Sequence, residues 1–179
     1  MPYKQTFFTA ATAALFALAT TAHAQSRFEE DFDDKDKPWQ EITVQMPPAP
    51  QQTDLASFYV SATTTQSFAV DTKSLSVGQD GVIRYTLIAI SDTGAKNVSY
   101  EGIRCATYER KLYAFGRPDG SWSRSRRDQW ERIASHATNR QHAALAKDFF
   151  CTEKLVAGSV QDMVRRLRQG QPLTPEGNR

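Results

Sequence analysis

VIRYTLIAIS, residues 82–91, is rich in β-branched side chains, a composition that suits a pleated, half-buried strand. Gln79-Asp80-Gly81 marks a turn before it and Asp92-Thr93-Gly94 another after it. The next run, NVSYEGIRCA (97–106), therefore folds back beside it. Strands joined by turns this short pair antiparallel, because parallel neighbours need a long crossover. Val98 and Tyr100 share one face of this second strand, and simple alternation puts Ile103 and Cys105 on the other. A bulge at Gly102 would return all four to one side, a common use of glycine inside a strand. ERKLYAF (109–115) continues the meander, and RPDG (117–120) has turn chemistry with proline at the second position.

Upstream, Phe58 and Val60 alternate with Ser57, Tyr59 and Ser61, and Phe68-Ala69-Val70 runs to Asp71. Ile42, Val44 and Met46 recur at period two and offer a further strand, closed by MPPAP (46–50), which should run extended as a tether. Downstream of Trp122 the pattern changes to helix. Trp130, Ile133, Ala134 and Ala137 recur at three and four, and residues 139–150 carry Leu145, Ala146 and Phe149 on one face. The last segment has clear boundaries: Ser159 with Asp162 as a capping pair, an apolar stripe of Val160, Met163, Val164 and Leu167, then Gly170 and Pro172. Strands first and helices after predict the α+β class: a single antiparallel meander sheet with C-terminal helices packed on one face.

The chain's beginning reads as an export leader. Lys4 precedes the apolar run FFTAATAALFALA (7–19), and Ala22-His23-Ala24 is a small-x-small cleavage site. Cleavage after Ala24 would leave 155 of the 179 residues, about one domain. No other run is apolar for long enough to span a bilayer, and no cysteine stands at the cleavage point to take a lipid. The expected destination is the periplasm or the medium. Residues 25–51 then form an acidic, proline-rich arm, 52–170 the folded domain and 171–179 a tail.

Without the leader, 21 basic residues face 20 acidic ones, so bulk charge gives no reason to expect a polyanion. The distribution is uneven. EEDFDDKD (29–36) holds six acids, whereas residues 104–140 hold nine Arg or Lys against four acids. Cys105 and Cys151 form an even pair in an exported chain and predict one disulfide. A metal site with His136 and His142 fits less well, since structural zinc sites bring their ligands in close pairs. No metal and no cofactor is expected.

Catalytic signatures are missing. The chain has no G-x-S-x-G, S-x-x-K, H-E-x-x-H, C-x-x-C, phosphate-binding glycine loop or dinucleotide fingerprint. Ser135 and His136 are adjacent and cannot face each other on a helix. The suggestive stretch is RPDGSWSRSRRDQW (117–130), in which Trp122 and Trp130 flank Arg124, Arg126 and Arg127, with Arg117 upstream. Aromatics interleaved with arginine can grip a polyanion or glycan by stacking and charge-assisted bonds. Alternatively the tryptophans pack under a helix and the arginines form its wet edge. Arg165, Arg166 and Arg168 read as a solvated helix face, and Asn139, Arg140 and His142 could line a pocket.

KPWQE (37–41), FYVSA (58–62), VDTKSLSVGQDGVIRYTL (70–87), GAKNVSYEGIRCAT (94–107), YAFGRPDGSW (113–122) and FFC (149–151) together resemble the cryptic neisserial protein-like family of exported bacterial proteins. The resemblance implies export to the periplasm or envelope and no established activity. It also implies a lipoprotein, from which this chain departs by lacking the cysteine. A fainter likeness, in strand order and in the strand that ends in cysteine, is to surface adhesins of the protein E type. There a disulfide tethers a helix to an antiparallel sheet, which is likeness of fold only.

Three functional readings follow. The first is a non-catalytic binding or envelope-associated module, with an envelope protein, glycan or lipid as partner and no nucleic acid. The second is an adhesin-like protein gripping anionic glycan, lipid or matrix through the Trp122–Trp130 stretch. The third is an enzyme with an unrecognised site near His136, His142 and Asp148.

Overall fold

A computed structural model describes residues 38–134 and 140–173, all but Pro38 belonging to the unit Trp39–Arg179. The leader, the acidic residues to 37, Ala137, His136, Asn139 and residues 174–179 lie outside the described residues. Seven strands form one antiparallel sheet: β1 Leu55–Phe58, β2 Ser67–Val77, β3 Val82–Ile90, β4 Lys96–Arg104, β5 Glu109–Gly116, β6 Trp122–Arg124 and β7 Glu131–Arg132. Strands β1 to β6 lie in sequence order, and β7 pairs with another part of β5. After them come α1 (Arg140–Ala144), which continues as a π-helical turn over Leu145–Phe150, a small hairpin of β8 (Cys151–Thr152) and β9 (Leu155–Val156), and α2 (Val160–Gln169). This is the expected α+β meander with helices.

β3 pairs with β4 without a break, from Val82 opposite Arg104 to Ile90 opposite Lys96. The alternation therefore sorts the sheet cleanly. Ile83, Tyr85, Leu87 and Ile103 face the helices, where they pack with Phe58, Phe68, Val70, Leu145, Phe149, Phe150, Met163 and Leu167. Arg84, Thr86, Tyr100 and Gly102 fall on the opposite face. Cys105 and Cys151 are joined, with 5.6 Å between Cα atoms, and tie the end of β4 to the end of the π-helical turn.

The expected bulge at Gly102 is absent. Val98 and Tyr100 lie on one face and Ile103 and Cys105 on the other. The irregularity sits on β5, where Tyr100 opposite Ala114 is followed by Glu101 opposite Leu112, leaving Tyr113 as the extra residue. Gly102 serves close approach: a Cβ there would lie 2.6 Å from the Tyr113 Oη and 3.0 Å from Val82 Cγ1.

β2 runs on past Asp71, where the sequence pointed to a stop. Its pairing jumps from Asp71–Thr86 to Ser76–Arg84, and the Ser74 hydroxyl bridges the gap. Ser74 Oγ donates to the Asp71 carbonyl at 2.9 Å and accepts the Thr86 N–H at 2.8 Å, supplying a ladder bond from a side chain.

Three further expectations are corrected. Ile42, Val44 and Met46 form no strand: residues 38–51 have no regular structure. The run 122–134 is not helical and instead supplies the edge strands β6 and β7. Its serines favour a local turn, since Ser125 Oγ donates to the Arg127 carbonyl and accepts the Arg127 N–H. Finally, the three C-terminal arginines are not one solvated face. Arg166 donates to the carbonyls of Phe149 (2.9 Å) and Ala157, locking α2 to the turn before β8, while Arg168 reaches Thr72 Oγ1.

The boundaries of α2 are as the sequence indicates. Ser159 Oγ accepts the Asp162 N–H, Asp162 Oδ2 accepts the Ser159 N–H, and Gly170 closes the helix at φ 59°. Ser159→Ala should cost about 1 kcal/mol and lower the thermal midpoint by a few degrees. An unchanged midpoint in calorimetry would show that the cap contributes nothing.

Candidate functional site

Arg84 alternates with Ile83 and Tyr85, so it projects from the face opposite the helices. Asp80, four residues earlier in the turn, receives it bidentately at 3.1 and 2.6 Å. Gly78 makes room: a Cβ there would sit 2.3 Å from Asp80 Oδ1. Asp80 also accepts Ile42 N–H at 3.1 Å, and its carbonyl accepts Trp39 Nε1 at 2.8 Å. Glu41 accepts from Tyr113 Oη at 2.6 Å and Lys111 Nζ at 2.7 Å, and it lies 3.6 Å from Arg84. Lys111 reaches Asp128 at 2.7 Å as well. Arg104 stacks on Trp39 at 3.8 Å. Residues 39–42 are thereby clamped to the sheet.

Burial works to raise the Asp80 carboxyl, but the Arg84 bond and the amides of Ile42 and Val82 outweigh it and hold it below its ordinary range. Burial, with the Glu41 bond, pushes the Tyr113 phenol well above its ordinary value. Lys111 is raised: burial opposes this, and its bonds to Asp128 and Glu41 prevail. These bonds favour the charged forms of Asp80 and Lys111 and the neutral form of Tyr113. Glu41, Lys111, Tyr113, Arg124 and Asp128 line a polar cleft of about 340 Å³.

A second cleft on this side, about 300 Å³, has a different character. Trp122, Pro50, Pro118 and Val98 form its apolar lining, with Lys96 and Arg117 beside them. Trp122 is held by donation of Nε1 to the Pro47 carbonyl at 2.7 Å and by the Tyr100 ring, 6.0 Å away. Gly116 is required beneath it, since a Cβ would meet Val98 Cγ1 at 2.8 Å. Lys96 and Arg117 are exposed, and neither takes part in an ion pair among the described residues.

A larger cleft, about 820 Å³, lies along α1 and the π-helical turn and is lined by Tyr108, Arg140, Lys147, Asp148, Cys151 and Lys154. His142 turns away from it into the core. Its Nε2 lies 2.7 Å from Glu101, which also accepts from Ser99 Oγ (2.7 Å) and Tyr85 Oη (3.2 Å). Burial pushes the Glu101 carboxyl up, but His142, Ser99 and Arg110 together hold it below its ordinary value of 4.5. A carboxyl lowered by folding stabilises above its unfolded value, and that contribution is lost as pH falls through the folded one. The urea midpoint should fall steeply below about pH 4.5 and less steeply in Glu101→Gln, with Asp80, Asp119 and Asp162, also held below their ordinary range, carrying the remainder. Identical acid limbs in the two proteins would remove this role from Glu101.

The basic stretch does not gather into one patch. Arg117 and Trp122 share the second cleft, Arg124 borders the Glu41–Lys111 cleft, and Arg127 lines a small one with Arg110 and Glu131. Arg126 is exposed. Trp130 packs edge-on against Trp39 at 5.8 Å, with no helix above it. His142 and Asp148 are both buried, and among the described residues no group of three or more His, Cys, Asp or Glu is arranged to hold a metal. Lys96, Pro50, Glu41 and Asp80 escaped sequence reasoning. Only the Asp80–Arg84 spacing across a turn gave a local signal.

Among the described residues no helix is long and apolar enough to cross a membrane. The model of the CNP1-like family matches residues 34–168, three-quarters of the chain, and the chain belongs to that family. No curated protein and no solved structure matches it.

Proposed function

We propose that this member of the CNP1-like family is a non-catalytic binding module that works outside the cytoplasm, in the periplasm or envelope, after removal of residues 1–24. The observation that carries the reading is the Trp122 cleft: an indole held by the Pro47 carbonyl, beside two exposed cations that form no direct ion pair among the described residues. Small-molecule sites are concave, mostly apolar and furnished with a few polar groups, and this cleft has that composition. The second-face carboxylates, already committed to Arg84 and Lys111, hold the sheet together. An oxidised cysteine pair suits an oxidising compartment, which supports export.

The test is a crosslinking pulldown from intact envelopes with wild type, Arg117→Glu and the double variant Arg126→Glu/Arg127→Glu. Arg117→Glu should lose the captured material and the double variant keep it, because only Arg117 lies in the cleft. Equal capture by all three, or turnover of any envelope component, would overturn the reading.

A further inference from the structure

The Trp122 cleft is built for one ring with one charge. Its volume of about 300 Å³ is at the lower end for small-molecule sites, room for a single ring. The lining includes an indole whose position is fixed from two sides, by the Pro47 carbonyl and the Tyr100 ring. An indole face carries negative quadrupolar charge, and the axial C–H groups of a pyranose carry the complementary positive charge. Pro50 and Pro118 offer the occupant no backbone N–H, so directional bonds must come from elsewhere. They are available from Lys96 and Arg117, at the ends of β4 and β5 nearest the cleft.

A carboxylate on C5 of a pyranose projects roughly in the plane of the ring. With the ring lying on Trp122, that group points sideways toward the cleft's edge and not into its floor. A guanidinium can take such a group bidentately, and an ammonium adds a second charge-assisted bond. Asp119, the acid in the turn after Arg117, accepts the Ser121 N–H at 2.9 Å and its hydroxyl at 2.7 Å; it is not part of the lining, and its charge acts on Arg117 without a direct ion pair. A bare sulfate or phosphate would satisfy the cations but leave the indole face uncovered, and a neutral sugar would do the opposite.

We propose that the Trp122 cleft binds a hexuronate unit of an acidic polysaccharide, ring on Trp122 and carboxylate on Lys96 and Arg117. This deepens the binding-module reading and rests on it. Isothermal titration of the full chain with trigalacturonate, its methyl ester and sodium sulfate tests the class. Trigalacturonate should bind, and its ester should bind about tenfold or more weakly. The double variant Lys96→Gln/Arg117→Gln, changed only at exposed positions, should lose a similar factor for the acid and little for the ester. Equal binding of ester and acid would overturn carboxylate recognition, and sulfate binding as tightly as the sugar would overturn ring recognition. No binding of any probe would overturn the hexuronate assignment. The binding-module reading is decided separately, by whether Arg117→Glu loses its capture from envelopes.

Discussion

Arg84→Met should lower the unfolding free energy by about 3–5 kcal/mol, a large part of a typical domain's total. The side chain is 5% exposed and lies between Asp80, 1% exposed, and Glu41 at 17%. Methionine can fill much of the volume but leaves the Asp80 carboxylate without its counter-charge, while Glu41 keeps Lys111. Such a removal is costlier than replacing the whole group by apolar residues, because the surviving charge stays buried. Asp80 also holds Ile42 N–H and Trp39 Nε1, so the loss should spread along residues 39–50. Hydrogen exchange should accelerate there before it does in β3 and β4. Ligand affinity should fall as well, since Pro47 anchors Trp122 and Pro50 lines its cleft. A variant as stable as wild type, with exchange unchanged over residues 39–50, would show that the clamp holds nothing.

Loss of the disulfide is the second large effect. Cys105 and Cys151 are 46 residues apart, and closing a loop of that length restricts the unfolded chain by about 4 kcal/mol in the entropic model. The bond joins the sheet to the helical layer, which also adheres through Leu145, Phe149, Phe150 and Met163. Cys105→Ala/Cys151→Ala should therefore keep the fold while its denaturation midpoint drops sharply. Mass spectrometry of the wild type without reductant should find both thiols blocked within one monomer. A midpoint unchanged in the double variant would contradict the stabilising role.

Why some of this was readable in the sequence follows from the range of the interactions. β3 and β4 announce themselves because turns at Asp80-Gly81 and Thr93-Gly94 bound strands whose neighbours are adjacent in the chain. α2 does so because its cap, stripe and stop lie within a dozen residues. Trp130 and Ile133 share helical spacing, yet β5 offers an edge at Glu109 and Arg110, and pairing there overrides the local pattern. Gly102 was legible as special but not as to why, because Tyr113 comes from the next strand. The clefts are harder still. Trp122 and Arg117 stood out, but Pro50 and Lys96 reach the same place from distant parts of the chain. Glu41 falls within the acidic, proline-rich arm of the sequence, and its partner Lys111 lies 70 residues on.

The central claim is that this chain binds through the Trp122 cleft. Its most direct test is an amide shift map of the isotope-labelled full chain during titration with acidic envelope polysaccharide. The account predicts shifts centred on Ala49, on Lys96 to Val98 and on Gly116 to Trp122, saturating together. Shifts centred instead on Arg126 to Trp130 or along α1, or none at all, would contradict it.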